Sequence, residues 1–397
     1  MVSAVHKTTI DGHGPHGFMR AAFTYGALLC AGLLAACSGG GSVNLGSGQS
    51  ADPATVDFPV AYVKRTIPME QDDLRQQRDT VPDADLYVRD RASPSSPERN
   101  VTERVTGSAR YDVRDVDVSF DGLKFIFAMR GPLAMNQDEE DPPSWGIWEY
   151  EVKTDTLRRV IASDTIASEG NDVAPHYLPD GRIVFTSTRQ RQSQAILRDE
   201  GKPGFEAQNE TSDEPSFLLH VMKADGTDLH QVSFNQSHDL YPSVLATGRL
   251  LWSRWDGASG RGIHLYTANP DGTDLQLLYG ARSHETGTGN QPVQFVHARE
   301  MQDGRVLTLV RPMTGTDFGG DLAIIDTRNF VENTQPVLAS AGLAGPAQQP
   351  ATRNDVRTIP GPSPGGRFNS AFPLWDGTNR ILVTWSQCRL LEGTTIT

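Results

Sequence analysis

The chain has 397 residues, enough for one large domain or two ordinary ones. Only 37% of it is hydrophobic, and it carries 38 Gly and 25 Pro, a turn-rich make-up that suits many short strands and excludes a bundle of long apolar helices. The net charge of −13, with no basic stripe along the sequence, excludes nucleic acid as a partner.

The N-terminal stretch reads as an address. Ala21 to Leu34 is an apolar run of signal-peptide length, too short to span a membrane comfortably. It ends in Leu34-Ala35-Ala36-Cys37-Ser38, then Gly39, Gly40 and Gly41, which resembles the lipobox of bacterial lipoproteins. The resemblance implies cleavage before Cys37, acylation of its thiol and a membrane anchor. Ser38 after the Cys implies the outer membrane, facing the periplasm or the cell surface. An ordinary signal peptide with a chance Cys is the competing reading. Met19-Arg20 would make a more normal start than Met1. Residues 1–37 are thus expected to be signal peptide and lipobox, and residues 38–56, rich in Gly and Ser, a flexible linker. Of three cysteines, Cys30 falls in the removed segment and Cys37 is the anchor, so Cys388 is alone and no internal disulfide is expected. No Cys-x-x-Cys-His occurs, so there is no motif for covalent c-type haem.

From residue 57 onward one phrase recurs. Tyr177-Leu-Pro-Asp-Gly-Arg-Ile-Val-Phe-Thr-Ser-Thr-Arg189 joins an Asp-Gly turn to a short apolar strand that closes on Arg. Related copies run Phe120 to Arg130, Ala246 to Arg254, Gln302 to Arg311 and Trp375 to Trp385, and Phe58 to Arg65 looks like a strand half without its turn. The closing Arg falls at 65, 130, 189, 254 and 311. A self-similar spacing of this size with several short strands per unit predicts a β-propeller, since one unit cannot bury both its faces alone and neighbours around a ring can. The expected architecture is all-β, a six-bladed β-propeller over 57–397 with its last blade incomplete. In chain order, 66–84 reads as a polar surface loop, 85–89 and 100–105 as outer strands of the first blade, and 340–369 as a long loop feeding a last unit of two strands. The apolar run Ile381 to Trp385 is unsuited to an exposed edge, which suggests a fragment of a longer chain.

The Asp-Gly-Arg-Ile-Val-Phe phrase and the Asp-Gly-Thr-Asp turns at 225–228 and 271–274 resemble the repeats of TolB-type six-bladed propellers. Asn171-Asp172-Val-Ala-Pro175-His176 and His238-Asp239-Leu-Tyr-Pro242 are similar to the propeller domain of the hydrazine synthase alpha subunit and related bacterial lipoproteins. The hydrazine synthase resemblance implies a redox subunit with haem, whose attachment motif this chain lacks. Fold does not by itself transfer function.

In a propeller blade the first and second strands are antiparallel, so residues before the first and after the second share one face of the disc. Asp115, Asn171-Asp172, His238-Asp239 and Asn290 fall before first strands, and the closing arginines after second strands. Insertions 131–145 and 190–216 leave from the same face and would wall a funnel over the channel. Asp172, His176, His238 and Asp239, with Arg189 and Arg254 around them, would make a polar pocket for a divalent metal or a charged small ligand. The bland alternative is that each Asp pairs with a neighbouring Arg and ties blade to blade, which repetition in every blade favours. The acidic run Asp138 to Asp141 reads as solvated loop, Asp225 to Asp228 and Asp271 to Asp274 as turn chemistry, and Trp145, Trp148, Trp252 and Trp255 as packing between blades. No Gly-x-Ser-x-Gly or phosphate loop occurs. Two functions follow as expectations: a non-catalytic, membrane-anchored propeller that binds a protein or small ligand on its funnel face, or a hydrazine-synthase-alpha-like subunit of a metal- or haem-dependent redox enzyme.

Overall fold

The computed structural model describes residues 58–65, 73–77, 83–92, 96–133, 142–209, 214–256, 262–316 and 319–386, with four two-residue strand segments near the termini. Cys37, the lipobox and the linker lie outside the described residues, as do Cys388 and the acidic run 138–141. No described helix is long and apolar enough to cross a membrane.

The chain is almost entirely β and forms a propeller. Five blades follow one another. The first holds Val60–Arg65, Ala84–Arg89 and Glu98–Asn100. Four antiparallel four-stranded blades then begin with the inner strands Arg110–Val118, Asp172–Tyr177, Asp239–Val244 and Gln294–Glu300. A two-stranded sheet, Arg367–Pro373 with Ile381–Ser386, ends the series. Ser3–Ala4 and Lys7–Thr8 pair in parallel with Val60–Arg65 on the edge opposite Ala84–Arg89.

The Asp-Gly phrase makes the turns for a simple reason. In each, the Asp side chain accepts the backbone N–H two residues on: Leu123, Arg182, Thr227, Thr273, Arg305 and Thr378 donate at 2.9–3.0 Å. These are Asx turns, which fix the reversal locally. The Gly that follows has positive φ, 86° at Gly181 and 83° at Gly272.

Burial falls between blades. The first and second share a cluster with Leu86, Val88, Phe125 and Phe127; the second and third share Ile126, Ile147, Ile183 and Phe185. Leu219, Val221, Leu250 and Trp252 join the third to the fourth, and Leu265, Tyr279, Phe295 and Val306 the fourth to the fifth. The two-stranded sheet is covered on both faces. Ala371, Ile381, Val383 and Trp385 pack with the fifth blade, while Phe372, Leu374 and Leu382 pack with Val60 and Tyr62 of the first. Alternation along Ile381 to Trp385 thus serves two neighbours, which is why four of its five residues are apolar.

Three local expectations need correction. Residues 103–106 form a helical turn, leaving only Glu98–Asn100 as the outer strand. The stretch 340–369 is not all loop, because Gln348–Pro350 closes the fifth blade as its fourth strand. Residues 73–77 do not lie on the outer surface but dip onto the channel mouth, where Leu74 and Gln77 are buried.

Candidate functional site

The geometry of the face starts from a bulge. Each inner strand of the four-stranded blades breaks register at a matching point, Asp115, Ala174, Tyr241 and His297, with φ of 55°, 50°, 52° and 53°, and Arg110–Val118 breaks it once more between Arg110 and Asp112. A β-bulge re-aims the chain. Here it turns one residue per blade toward its neighbours around the axis. The Tyr241 and His297 rings stack at 3.7 Å, and the Ala174 N–H donates to Asp115 Oδ2 at 3.1 Å. Asp115 therefore sits within its strand rather than before it. Burial, against the pull of Asp115 and with the help of Arg114, holds the His297 imidazole down at about 4.

Two residues further along, Asp117, His176, Ser243 and Arg299 occupy matching positions in successive blades. Asp117 lies 2.6 Å from His176 Nδ1 on the next blade and accepts from Arg299 at 2.9 Å, from the fifth blade to the second. The axis is thus bridged by charge. Burial would raise the Asp117 carboxyl, but His176 and Arg299 outweigh it and hold the group at about 2.

At the head of each inner strand the side chain caps the preceding blade. Asn171 Oδ1 accepts from the Trp145 N–H at 3.1 Å, His238 Nδ1 from Phe217 at 3.1 Å, and Gln294 Oε1 from Ile263 at 2.7 Å. These are equivalent positions, and each secures the backbone near the start of the previous blade's third strand. Asp112, the fourth, takes Arg65 of the first blade and lies 3.7 Å from Arg130. His238 is engaged on both ring nitrogens: Nδ1 accepts from Phe217, so Nε2 carries the proton it donates to the Arg75 carbonyl at 3.1 Å. Glu214 lies 3.9 Å from the same Nε2.

The Arg75 carbonyl belongs to the segment over the channel mouth. Asn209 also donates to it, at 3.1 Å. Gln77 receives the Arg114 guanidinium on its carbonyl, donates its N–H to Glu214 at 2.9 Å and accepts from the Tyr241 hydroxyl at 3.3 Å. The segment is thus stitched to the second, third and fourth blades, and through Leu74 N–H to Met313 after the fifth blade's second strand.

The six residues singled out from the sequence fall into separate groups. Asp172 and Arg189 form a buried bidentate pair, with Nε to Oδ1 at 3.0 Å and a terminal nitrogen to Oδ2 at 2.6 Å, and Ser187 adds a third bond at 2.7 Å. Burial pushes the Asp172 carboxyl up while Arg189 pulls it down. Asp239 instead accepts from the Trp252 indole at 2.9 Å, and Arg254 stands 4.0 Å away. Burial pushes Asp239 up as well, with Arg254 opposing. His176 belongs to the axial bridge and His238 to the cap and the mouth segment. Among the described residues no group of three or more His, Cys, Asp or Glu gathers as a metal site.

The closing arginines are not one structural position. Counted from the cross-strand pair after each bulge (Asp117 with Ile126, His176 with Val184, Ser243 with Leu251, Arg299 with Leu307), Arg130 and Arg311 are equivalent, Arg254 falls one residue early and Arg189 one late. Sequence reasoning missed Asp117, Arg299, Gln77 and Glu214. The first two carry a signal, a fixed offset from the bulge, but it appears only once the register is known.

A disc of radial antiparallel blades whose inner strands line an axis defines a β-propeller. Among solved structures, hydrazine synthase of Kuenenia stuttgartiensis matches with a TM-score of 0.53 at 15% identity, over 83% of this chain and 42% of that one. TolB from Acinetobacter baumannii matches at 0.39 and 11% identity, over 83% and 80% of the two chains. An oligogalacturonate lyase from Vibrio parahaemolyticus matches at 0.38 and 12%, over 75% and 71%. The hydrazine synthase likeness is one of fold, and this chain spans 42% of that protein's length. No family model matches the chain, and no curated protein sequence matches it.

Proposed function

We propose that this chain is a lipid-anchored, non-catalytic β-propeller of the bacterial envelope that binds a protein or a small ligand on its funnel face. In this reading Cys37 holds it to the outer membrane, facing the periplasm or the cell surface. The observation that supports the binding role is how the face spends its polar side chains. His238, Asn171 and Gln294 cap neighbouring blades, Asp172 holds Arg189, and Gln77, Glu214 and Asn209 fix the segment over the mouth. Groups committed in this way present a rigid polar surface; a nucleophile with its base would need to be held ready for a reacting atom. The insertion that follows Arg189 runs along the outer strand of the third blade through Ser193 and Gln231, exposes the ring of Phe205 and returns to the mouth at Asn209; an exposed aromatic ring is a side chain of the kind that interfaces use.

The test places a photo-cross-linking residue at Phe205, in the insertion that leaves the funnel face after Arg189, and at Asp271, in a turn on the opposite face, in cells producing the full chain. A discrete adduct at 205 and none at 271 is expected, with the Cys37→Ala variant leaving the membrane fraction. Equal adducts at both positions would contradict the reading, as would no adduct together with no thermal shift in a small-molecule screen. Stoichiometric metal or a haem absorption band in the purified protein would favour the alternative, a hydrazine-synthase-alpha-like redox subunit.

A further inference from the structure

Between the third and fourth blades, away from the channel, lies a cavity of about 140 Å³. Leu219 and Val232 line it from one side, and Leu250, Trp252 and Ala268 from the other, with Arg254 also in its wall. Phe234 and Leu275 stand at it half-exposed, so the pocket communicates with solvent.

Arg254 differs from Arg189 in what it binds. Arg189 binds Asp172 through two nitrogens and the Ile166 carbonyl at 2.6 Å. In the fourth blade the Trp252 indole takes Asp239 Oδ1, and Arg254 is left 4.0 Å from the carboxylate, with its guanidinium 5.2 Å over the Tyr266 ring. Among the described residues it makes no hydrogen bond, yet only 17% of its side chain is exposed. A guanidinium carries five N–H donors in a planar fork that fits a carboxylate. Removed from most of its water, with Asp239 only at ion-pair distance and no hydrogen bond made, it keeps its N–H donors for an anionic oxygen pair brought by a ligand.

The geometry points to a binding site for a small organic carboxylate, its apolar body in the interblade cavity and its head group on Arg254. A cavity of roughly 150 Å³ lined by apolar side chains accepts a benzene-sized body. Arg254 also belongs to the funnel-face set read from the sequence, but the cavity reaches the outer strands and turns at Val232 and Gly272, so binding there is tested apart from cross-linking at the mouth.

Phenylacetate is the probe, with phenylacetamide as its uncharged counterpart, titrated into the full chain by calorimetry. Saturable one-to-one binding of phenylacetate is expected, with phenylacetamide at least about tenfold weaker. Arg254→Met should weaken phenylacetate at least about tenfold and leave phenylacetamide within about twofold; Arg254→Lys, which keeps charge but loses the fork, should fall between. Ala268→Leu should abolish both by filling the cavity. No saturable binding, or equal affinity of wild type and Arg254→Met for phenylacetate, overturns the assignment. If Arg254→Met does not fold, the acid-to-amide ratio on the wild type decides alone, and a ratio near one overturns it.

Discussion

Arg189 grips Asp172 with two nitrogens, at 3.0 and 2.6 Å, in a place where the carboxylate has no solvent exposure. The pair holds the end of the third blade's second strand to the head of its inner strand. Removing one partner leaves a buried charge without its counter-ion, which typically costs about 3–5 kcal/mol. Arg189→Met should lower the unfolding free energy by an amount of that order. The double variant Asp172→Leu/Arg189→Met should recover part of the loss, because the stranded charge is gone. Urea unfolding of the three variants measures this, and full additivity would show that the two side chains do not act together.

Gly272 makes a second kind of blade-to-blade contact. Its φ is 83°, and a Cβ there would stand 2.0 Å from the Val232 carbonyl oxygen of the preceding blade. Gly226 repeats this against Val160 one blade earlier, at 2.4 Å. Both the left-handed conformation and the close backbone oppose a side chain. Gly272→Ala should destabilise by about 2 kcal/mol or more, whereas Gly181→Ala, at a turn where an added Cβ meets open space, should lose only the conformational part, about 1 kcal/mol. Thermal or urea unfolding of the two variants gives the comparison.

Acid should act on two buried groups in two stages. Burial holds His220 down at about 4, so it stays neutral in the folded protein, with Nδ1 donating to the Leu218 carbonyl at 2.9 Å. Its depressed pKa gives stability that is present above about 6.5 and is lost as pH falls toward 4. Asp117, held at about 2 by His176 and Arg299, adds stability present above about 3.8 and lost as pH falls through 2. Each pKa unit is worth about 1.4 kcal/mol, so the losses are about 3 and about 2 kcal/mol at their limits. The His220 contribution is read as the difference between wild type and His220→Phe from pH 7 to pH 4, because Asp172, Asp239 and Asp321, whose carboxyls burial pushes up, act in the opposite sense over part of that range. His220→Phe should flatten the upper limb by roughly one proton, and an unchanged slope would place the titration elsewhere.

The sequence shows the turns and the apolar strands plainly, because an Asx turn and a period of two are local. Asp180-Gly181 and Ile183 to Ser187 are legible without any neighbour. The funnel-face site is less so. Arg189 and Arg254 look alike in sequence but differ by two residues in register, so one meets its Asp and the other does not. Bulges at Ala174 and Tyr241 carry no Gly to announce them. The fifth blade's outer strand, Gln348–Pro350, is polar and ends in Pro; an outermost strand tolerates this because its far edge has no ladder partner to supply. Residues 73–77 gave only a polar composition, and their place over the mouth depends on Glu214, Asn209 and His238, all distant in the chain.

His238 offers the most direct measurement, since it is both one of the metal-ligand candidates read from the sequence and a blade cap in the structure. Urea unfolding of His238→Asn and His238→Leu, with the metal content of each, separates the roles. As a cap, His238 needs only an acceptor for the Phe217 N–H and a donor for the Arg75 carbonyl, and Asn supplies both, as Asn171 caps Trp145. His238→Asn should stay within about 1 kcal/mol of wild type, and His238→Leu should lose about 1–3 kcal/mol for the unsatisfied buried groups. Metal content should not differ among the three. An equal loss for Asn and Leu, or a stoichiometric metal that disappears with His238, would contradict the assignment of this residue as a structural tie.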